Sequence, residues 1–324
     1  MRVLTGNLPA LAAAAALAVA CAACGSSGSS ASAGASASAS SGAAAAAGAF
    51  PATVNAADGP VHVRSRPTAI ISLSPTATEM LYAIGAGSQV KAVDDDSDYP
   101  PQAPRTKLSG FTPNIEAIVA YKPDLVVISG NVDGLVKRLA GFSIPVLELP
   151  AAASLSDEWS EFDELGKATG HLAQAQREDT TLQAQVRHIA AAAPHHSKPI
   201  TYYYELEQDY YSVTSDTFVG KLLSLLGMKS IADAAKGTAA DGGYPQLSAE
   251  YILKSQPDYI ILADTLCCQQ SASTVAKRPG WSALTAVRKG HIIALNDDIA
   301  SRWGPRIVDL LKSVEAGISA GGGR

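Results

Sequence analysis

The chain has 324 residues, with 25 Lys+Arg against 30 Asp+Glu and a formal net charge of −5 at pH 7. A balance this mild excludes a polybasic nucleic-acid binder, and 47% hydrophobic residues argue against a wholly disordered chain. Four cysteines, two of them at positions 21 and 24, are too few for a disulfide-built scaffold.

Met1 and Arg2 make a thin basic start, and residues 8–20 are an apolar run rich in Ala and Leu. That run falls short of the roughly 20 residues that span a bilayer and fits a signal-peptide core. The segment "LAVACAACGSS" offers two lipidation candidates, Cys21 after Ala18-Val19-Ala20 and Cys24 before Gly-Ser-Ser. Residues 25–49 are all Gly, Ser or Ala. Such a tract cannot bury enough apolar surface to offset its ordering entropy, and as a flexible coil it reaches about 25–30 Å. The organisation expected is a lipoprotein signal peptide over 1–24, a tether over 25–60, an N-terminal lobe over 61–153, connecting helices over 154–198 and a C-terminal lobe over 199–324. The chain is therefore expected outside the cytoplasm, anchored to the outer face of the cell membrane.

From Val61 onward, short β-rich runs alternate with amphipathic helical patterns. "AIISLS" (69–74), "KAVDDD" (91–96), "DLVVIS" (124–129) and "PVLELP" (145–150) read as strands, with helices over 77–85, 114–122 and 132–141. After a helical stretch, "ITYYYEL" (200–206), "DYIILAD" (258–264) and "HIIALN" (291–296) repeat the pattern, with helices over 217–227, 248–256 and 306–317. Strand–helix alternation implies parallel sheets covered by helices, here an α/β fold of two lobes. "NIEAIVAYKPDLVVIS" (114–129) and "SAEYILKSQPDYIILA" (248–263) align without a gap, matching Asn114 to Ser248, Glu116 to Glu250 and Pro123-Asp124 to Pro257-Asp258. This reads as a duplicated lobe. Between the copies, Leu182, Val186, Ile189 and Ala193 make a one-sided apolar stripe, predicting a helix of about 33 Å, long enough to run along both lobes as a stiff connector.

Enzyme motifs fail one by one. "GFSIP" (141–145) breaks a nucleophile elbow at its last position, and "GAG" (85–87) lacks the third glycine of a dinucleotide loop. "DDDSD" (94–98) starts like a calcium loop, but Tyr99 and Arg105 stand where Gly and Glu are needed. Among His62, His171, His188, His195, His196 and His291 no pair sits at helical i, i+4 spacing, so no metal site and no cofactor are expected. Adjacent Cys267 and Cys268 are either a strained, reducible loop staple or two unpaired thiols.

Tyr202, Tyr203 and Tyr204 alternate within a strand and read as core. Tyr99, Phe111, Tyr244 and Trp303 fall at strand or helix ends, and Tyr210 and Tyr211 crowd the start of the second lobe. In open parallel sheets ligands bind outside the carboxyl ends of the strands, and broad rings there suit a large apolar ligand.

Five segments carry a resemblance: "SLSPTATEMLYAIGA" (72–86), "SDYPP" (97–101), "NIEAIVAYKPDLV" (114–126), "YPQLSAE" (244–250) and "SRWGPRIV" (301–308). Together the chain resembles the class III substrate-binding proteins of ABC importers, which serve cobalamin and ferric siderophores, and most closely the cobalamin-binding members. The resemblance implies two Rossmann-like lobes bridged by one long helix with the ligand in the cleft between them, in a non-enzymatic, monomeric receptor that captures a metal chelate and delivers it to a permease powered by a partner ATPase. It implies that Glu116 and Glu250 form salt bridges with arginines of the permease, and that Arg302 and Arg306 meet anionic ligand oxygens in the cleft. Tyr244 occupies a tryptophan position of the family. A divalent metal-ion or haem receptor of the same superfamily is the alternative, and a surface-anchored enzyme is the alternative outside it.

Overall fold

A computed structural model describes residues 50–194, 196–236 and 241–322. Cys21, Cys24, the signal peptide and most of the tether lie outside the described residues. The chain enters through an antiparallel hairpin, β1 (Ala52–Ala56) and β2 (Gly59–Val63), with Ala56 opposite Gly59. The tether predicted over 25–60 is thus too long at its carboxyl end, because residues from Ala52 onward are strand. The hairpin is fixed to the N-terminal lobe where Ala57 N–H donates to the Glu148 carbonyl at 3.1 Å.

The N-terminal lobe then runs β3 (Ile70–Leu73), α1 (Pro75–Ala83), β4 (Val90–Asp94), β5 (Arg105–Leu108), α2 (Ile115–Ala120), β6 (Leu125–Ile128), α3 (Leu135–Ala140) and β7 (Val146–Glu148). Its five strands pair in parallel in the order β5-β4-β3-β6-β7. Two helices follow, α4 (Leu155–Thr169) and α5 (Leu172–Ala192). They are separated at Gly170, where the backbone turns left-handed at φ 76°. The C-terminal lobe comprises β8 (Ile200–Glu205), α6 (Phe218–Ser224), β9 (Met228–Ser230), α7 (Ala249–Ser255), β10 (Tyr259–Leu262), α8 (Ala272–Ala276), α9 (Thr285–Lys289), β11 (Ile292–Ala294), α10 (Asp297–Ser301) and α11 (Ile307–Gly322). Its four strands, also parallel, run β11-β10-β8-β9.

The period-two alternation of a strand decides which layer each residue joins. Ile70, Leu125, Val127, Tyr202, Tyr204 and Ile261 point into one large core, which also takes Phe162 and Leu165 of α4, Leu182 and Val186 of α5 and Leu311 of α11. Their neighbours turn the other way. Ile71 and Val126 pack under α2 and α3, and Tyr203, Ile260 and Leu262 pack against Trp281 and α7. Tyr202, Tyr203 and Tyr204 are fully buried, as their alternation predicts. The first core is continuous between both sheets and the connecting helices, so it ties the two lobes together.

The internal repeat is a repeat of local chemistry. Asn114 Oδ1 caps α2 by accepting Ala117 N–H at 2.9 Å, and Ser248 Oγ caps α7 by accepting Tyr251 N–H at 3.1 Å. Asp124 accepts from the amide and hydroxyl of Thr68 at 2.7 and 2.9 Å. Asp258 accepts from the amide and hydroxyl of Thr201 at 2.8 and 2.7 Å. In each lobe the matched aspartate clasps the start of the lobe's first strand to the strand beside it.

Candidate functional site

The carboxyl ends of the strands collect most of the residues singled out from sequence. The segment after β4 carries Tyr99, and Phe111 follows β5 with its amide and that of Thr112 aimed at Ser109 Oγ. Phe111 is 76% exposed. In the other lobe Tyr211 follows β8, and the 243–246 stretch runs antiparallel beside it. Ser212 N–H donates to the Pro245 carbonyl at 3.0 Å, Thr214 N–H to the Gly243 carbonyl at 2.8 Å, and Tyr211 bridges Gln246. Tyr211 and the 44%-exposed Tyr244 therefore stand on one platform. That platform needs its glycine: Gly243 has φ 89°, and a Cβ there would lie 2.8 Å from Thr217 Cγ2.

Two further aromatics are committed elsewhere. Tyr210 stacks on buried Trp281 with centroids 5.8 Å apart, and the Arg278 guanidinium lies over both rings. Arg278 in turn pairs bidentately with buried Glu205 at the end of β8. Trp303 packs against the main core and donates its indole N–H to Glu161 Oε2 at 2.9 Å. Both are only partly exposed, because packing rather than solvent holds their faces.

The resemblance implies that Arg302 and Arg306 face the ligand, and in the structure both side chains are bound to carboxylates. Arg302 Nη1 bonds Glu79 Oε1 at 3.1 Å and Asp98 Oδ1 at 3.0 Å, while Nη2 bonds Asp298 Oδ1 at 2.7 Å and the Asp96 carbonyl at 2.9 Å. Arg306 Nε bonds Glu79 Oε2 at 2.8 Å, and its guanidinium also covers one face of Tyr99, 4.3 Å from the centroid. Glu79, on α1, is 2% exposed. Both cations are already neutralised, and the pairs join the N-terminal lobe to the C-terminal lobe. Burial alone raises the Asp98 carboxyl, but the Arg302 hydrogen bond and charge outweigh it and hold the group below its ordinary value.

Buried carboxylates at the strand ends escaped the sequence reading. Burial pushes Asp94, the last residue of β4, up to about 6 against opposing hydrogen bonds from Ser97. Asp264, just past β10, is pushed up to about 7 by burial and then by neighbouring Glu205, and neither of its oxygens has a partner among the described residues. The signal was an acidic residue ending an apolar strand in "KAVDDD" and "DYIILAD". Glu116 and Glu250 sit exposed in the first turns of α2 and α7, and neither forms an ion pair among the described residues.

The histidines are accounted for singly. His62 bonds Thr53 Oγ1 at 2.9 Å, His171 bonds Arg66 at 2.6 Å, and His291 stacks on Tyr259 with centroids 4.6 Å apart. His188 and His196 are exposed, and His195 lies outside the described residues. Among the described residues no helix is long and apolar enough to cross a membrane.

The family profile described as "Periplasmic binding protein" matches residues 70–299. An uncharacterized ABC transporter substrate-binding lipoprotein of Bacillus subtilis is 30% identical over 272 residues, covering 80% of this chain and 83% of that protein. A vitamin B12-binding protein of Pectobacterium atrosepticum is 33% identical over 251 residues, covering 75% and 85%. The crystal structure of the periplasmic vitamin B12 binding protein of Vibrio cholerae matches with a TM-score of 0.65 at 26% identity, over 79% of this chain and 98% of that one.

Proposed function

Because the chain belongs to the periplasmic binding protein family, a family of ABC-importer substrate-binding proteins rather than enzymes, we propose that it captures cobalamin in the cleft between its lobes and delivers it to a permease. One observation carries this choice. Tyr99, Phe111, Tyr211 and Tyr244 are exposed at the strand ends, while both nearby arginines are spent on Glu79, Asp98 and Asp298. A siderophore rich in carboxylate or catecholate oxygens would need free cations there; the flat apolar bulk of a corrin needs rings. The chain acts as a monomer held by a lipid on Cys21 or Cys24, and the permease with its ATPase drives transport. Glu116 and Glu250, exposed, without an ion pair among the described residues and equivalent in the two lobes, meet basic residues of that permease.

Intrinsic tryptophan fluorescence of the folded unit, residues 50–324, is to be titrated with cyanocobalamin, ferric hydroxamate, ferric catecholate and haemin under inner-filter control. The expected result is saturable quenching by cyanocobalamin at submicromolar concentration. Tyr244→Ala should weaken it by about fivefold, roughly 1 kcal/mol. Saturation by a ferric chelate or haemin in place of cyanocobalamin would reassign the ligand, and unchanged affinity in Tyr244→Ala would remove that ring from the site.

A further inference from the structure

The loop between β10 and α8 carries chemistry that the cleft rings do not use. Its Cys267 and Cys268 are joined by a disulfide between adjacent residues, with Cα atoms 3.8 Å apart. β10 lies between β8 and β11 in its sheet, so the loop emerges between the segment bearing Tyr211 and the segment bearing Arg302 and Trp303. Leu266 is 59% exposed and Cys267 is exposed beside it, so the side chain and the disulfide ring form an apolar lip. One carboxylate grips the loop from beneath. Asp297, the first residue of α10, accepts the Leu266 amide at 2.9 and 3.1 Å, the Cys267 amide at 2.8 Å and the Thr265 hydroxyl at 3.0 Å. The same short helix leads directly to Arg302, which reaches across to Glu79 and Asp98.

We infer that Cys267–Cys268 is a redox-sensitive ligand contact on the lip of the cleft. Oxidised, the ring fixes the loop on Asp297 and offers a flat apolar surface to the ligand. An exposed disulfide between neighbours belongs to the labile class, and it survives in the oxidising surroundings outside the cytoplasm. A small dithiol reverses it. One reductant thiolate attacks Cys267 Sγ, the S–S bond breaks, and Cys268 leaves as a thiolate that takes up a proton. The second reductant thiolate then displaces Cys267 Sγ, so the reductant ends as a disulfide and the protein gains two thiols. The freed loop loses its ring constraint and with it the fixed apolar contact.

The affinity consequence rests on the cleft reading above; the change in the loop does not. In the full-length chain purified without reductant, iodoacetamide should label neither Cys267 nor Cys268 before dithiothreitol and both after it, the sites of labelling being read by peptide mass. After reduction and anaerobic desalting, amide exchange at Leu266 and Cys267 should speed up by about tenfold, and the cyanocobalamin dissociation constant should rise by about fivefold. A Cys267→Ser, Cys268→Ser double variant should show the weaker affinity with or without reductant. Labelling before reduction, equal exchange in the two states, or equal affinity in the two states overturns the inference. If cyanocobalamin binds neither state, the cleft reading fails and the redox contact fails with it, even where labelling and exchange respond.

Discussion

Glu79 holds the floor of the cleft by charge. It is nearly inaccessible, and two guanidiniums from the opposite lobe converge on its two oxygens. Removing one member of a buried ionic group leaves its partners desolvated and unpaired, at about 3–5 kcal/mol. Arg302 would keep Asp98 and Asp298, whereas Arg306 would keep only the Tyr99 face. Glu79→Ala should therefore lower the melting temperature by on the order of 10 °C, at a few degrees per kcal/mol for a chain of this size. A loss under about 2 °C would show that solvent screens these pairs. Glu161 sets a different balance. Burial pushes its carboxyl up to about 7, against the hydrogen bond it accepts from Trp303 and with help from Asp157. A carboxyl raised in the folded state holds a proton there that the unfolded chain has already released. Its contribution is complete below the ordinary carboxylate range of about 4.5 and is lost as pH rises through about 7. Glu161→Gln should flatten the fall in stability across that window by up to about 1.4 kcal/mol per pH unit. Denaturant midpoints across that interval measure it, and parallel slopes for the two proteins would assign the titration to other carboxyls.

At the scale of elements, α4 and α5 cross where Gly166 stands. A Cβ there would lie 2.6 Å from the Ala175 Cβ and 2.9 Å from the Leu172 Cα, neither of which can turn away. Gly166→Ala should force the helices apart at about 1–3 kcal/mol, read as a melting temperature several degrees lower. An unchanged melting temperature would mean that the crossing yields without cost. Glycine at that position was visible in the sequence, but what it faces was not. The central strands were legible because most are runs of buried β-branched, aromatic or leucine residues, and their observed bounds lie within two residues of the predicted ones. β5 and β9 were not, since "RTKL" and "MKS" are short, mostly polar edge strands with no apolar run to read. The β1–β2 hairpin carried a usable signal in Asp58-Gly59 flanked by alternating residues, which the alanine-rich surroundings masked. The exposed rings of Tyr99, Phe111, Tyr211 and Tyr244 were readable as residues outside the regular elements. The arginine pairing was not, because Arg302 and Arg306 find Glu79 from 223 and 227 residues away.

Across the whole molecule, duplication puts the same surface on both lobes. α2 and α7 start with the same kind of side-chain cap, carry an exposed glutamate in the first turn, and pass through a Pro-Asp turn into a buried strand. The helix dipole favours each glutamate by about 0.3–1 kcal/mol, which explains a single acidic residue at a helix start. It does not explain why both lack an ion-pair partner among the described residues, on the same element of two lobes joined by one continuous core. A permease that contacts both lobes at once would find one acidic contact on each, and two weak contacts linked by that core add in free energy. Reversing both charges, Glu116→Lys with Glu250→Lys, should therefore reduce cyanocobalamin uptake by cells to background, with each single variant in between. Cyanocobalamin affinity of the purified double variant should stay within about twofold, since both glutamates are exposed and form no side-chain hydrogen bond or ion pair among the described residues. Lost affinity would place these glutamates in the ligand site, and full uptake would leave them as helix-dipole partners alone.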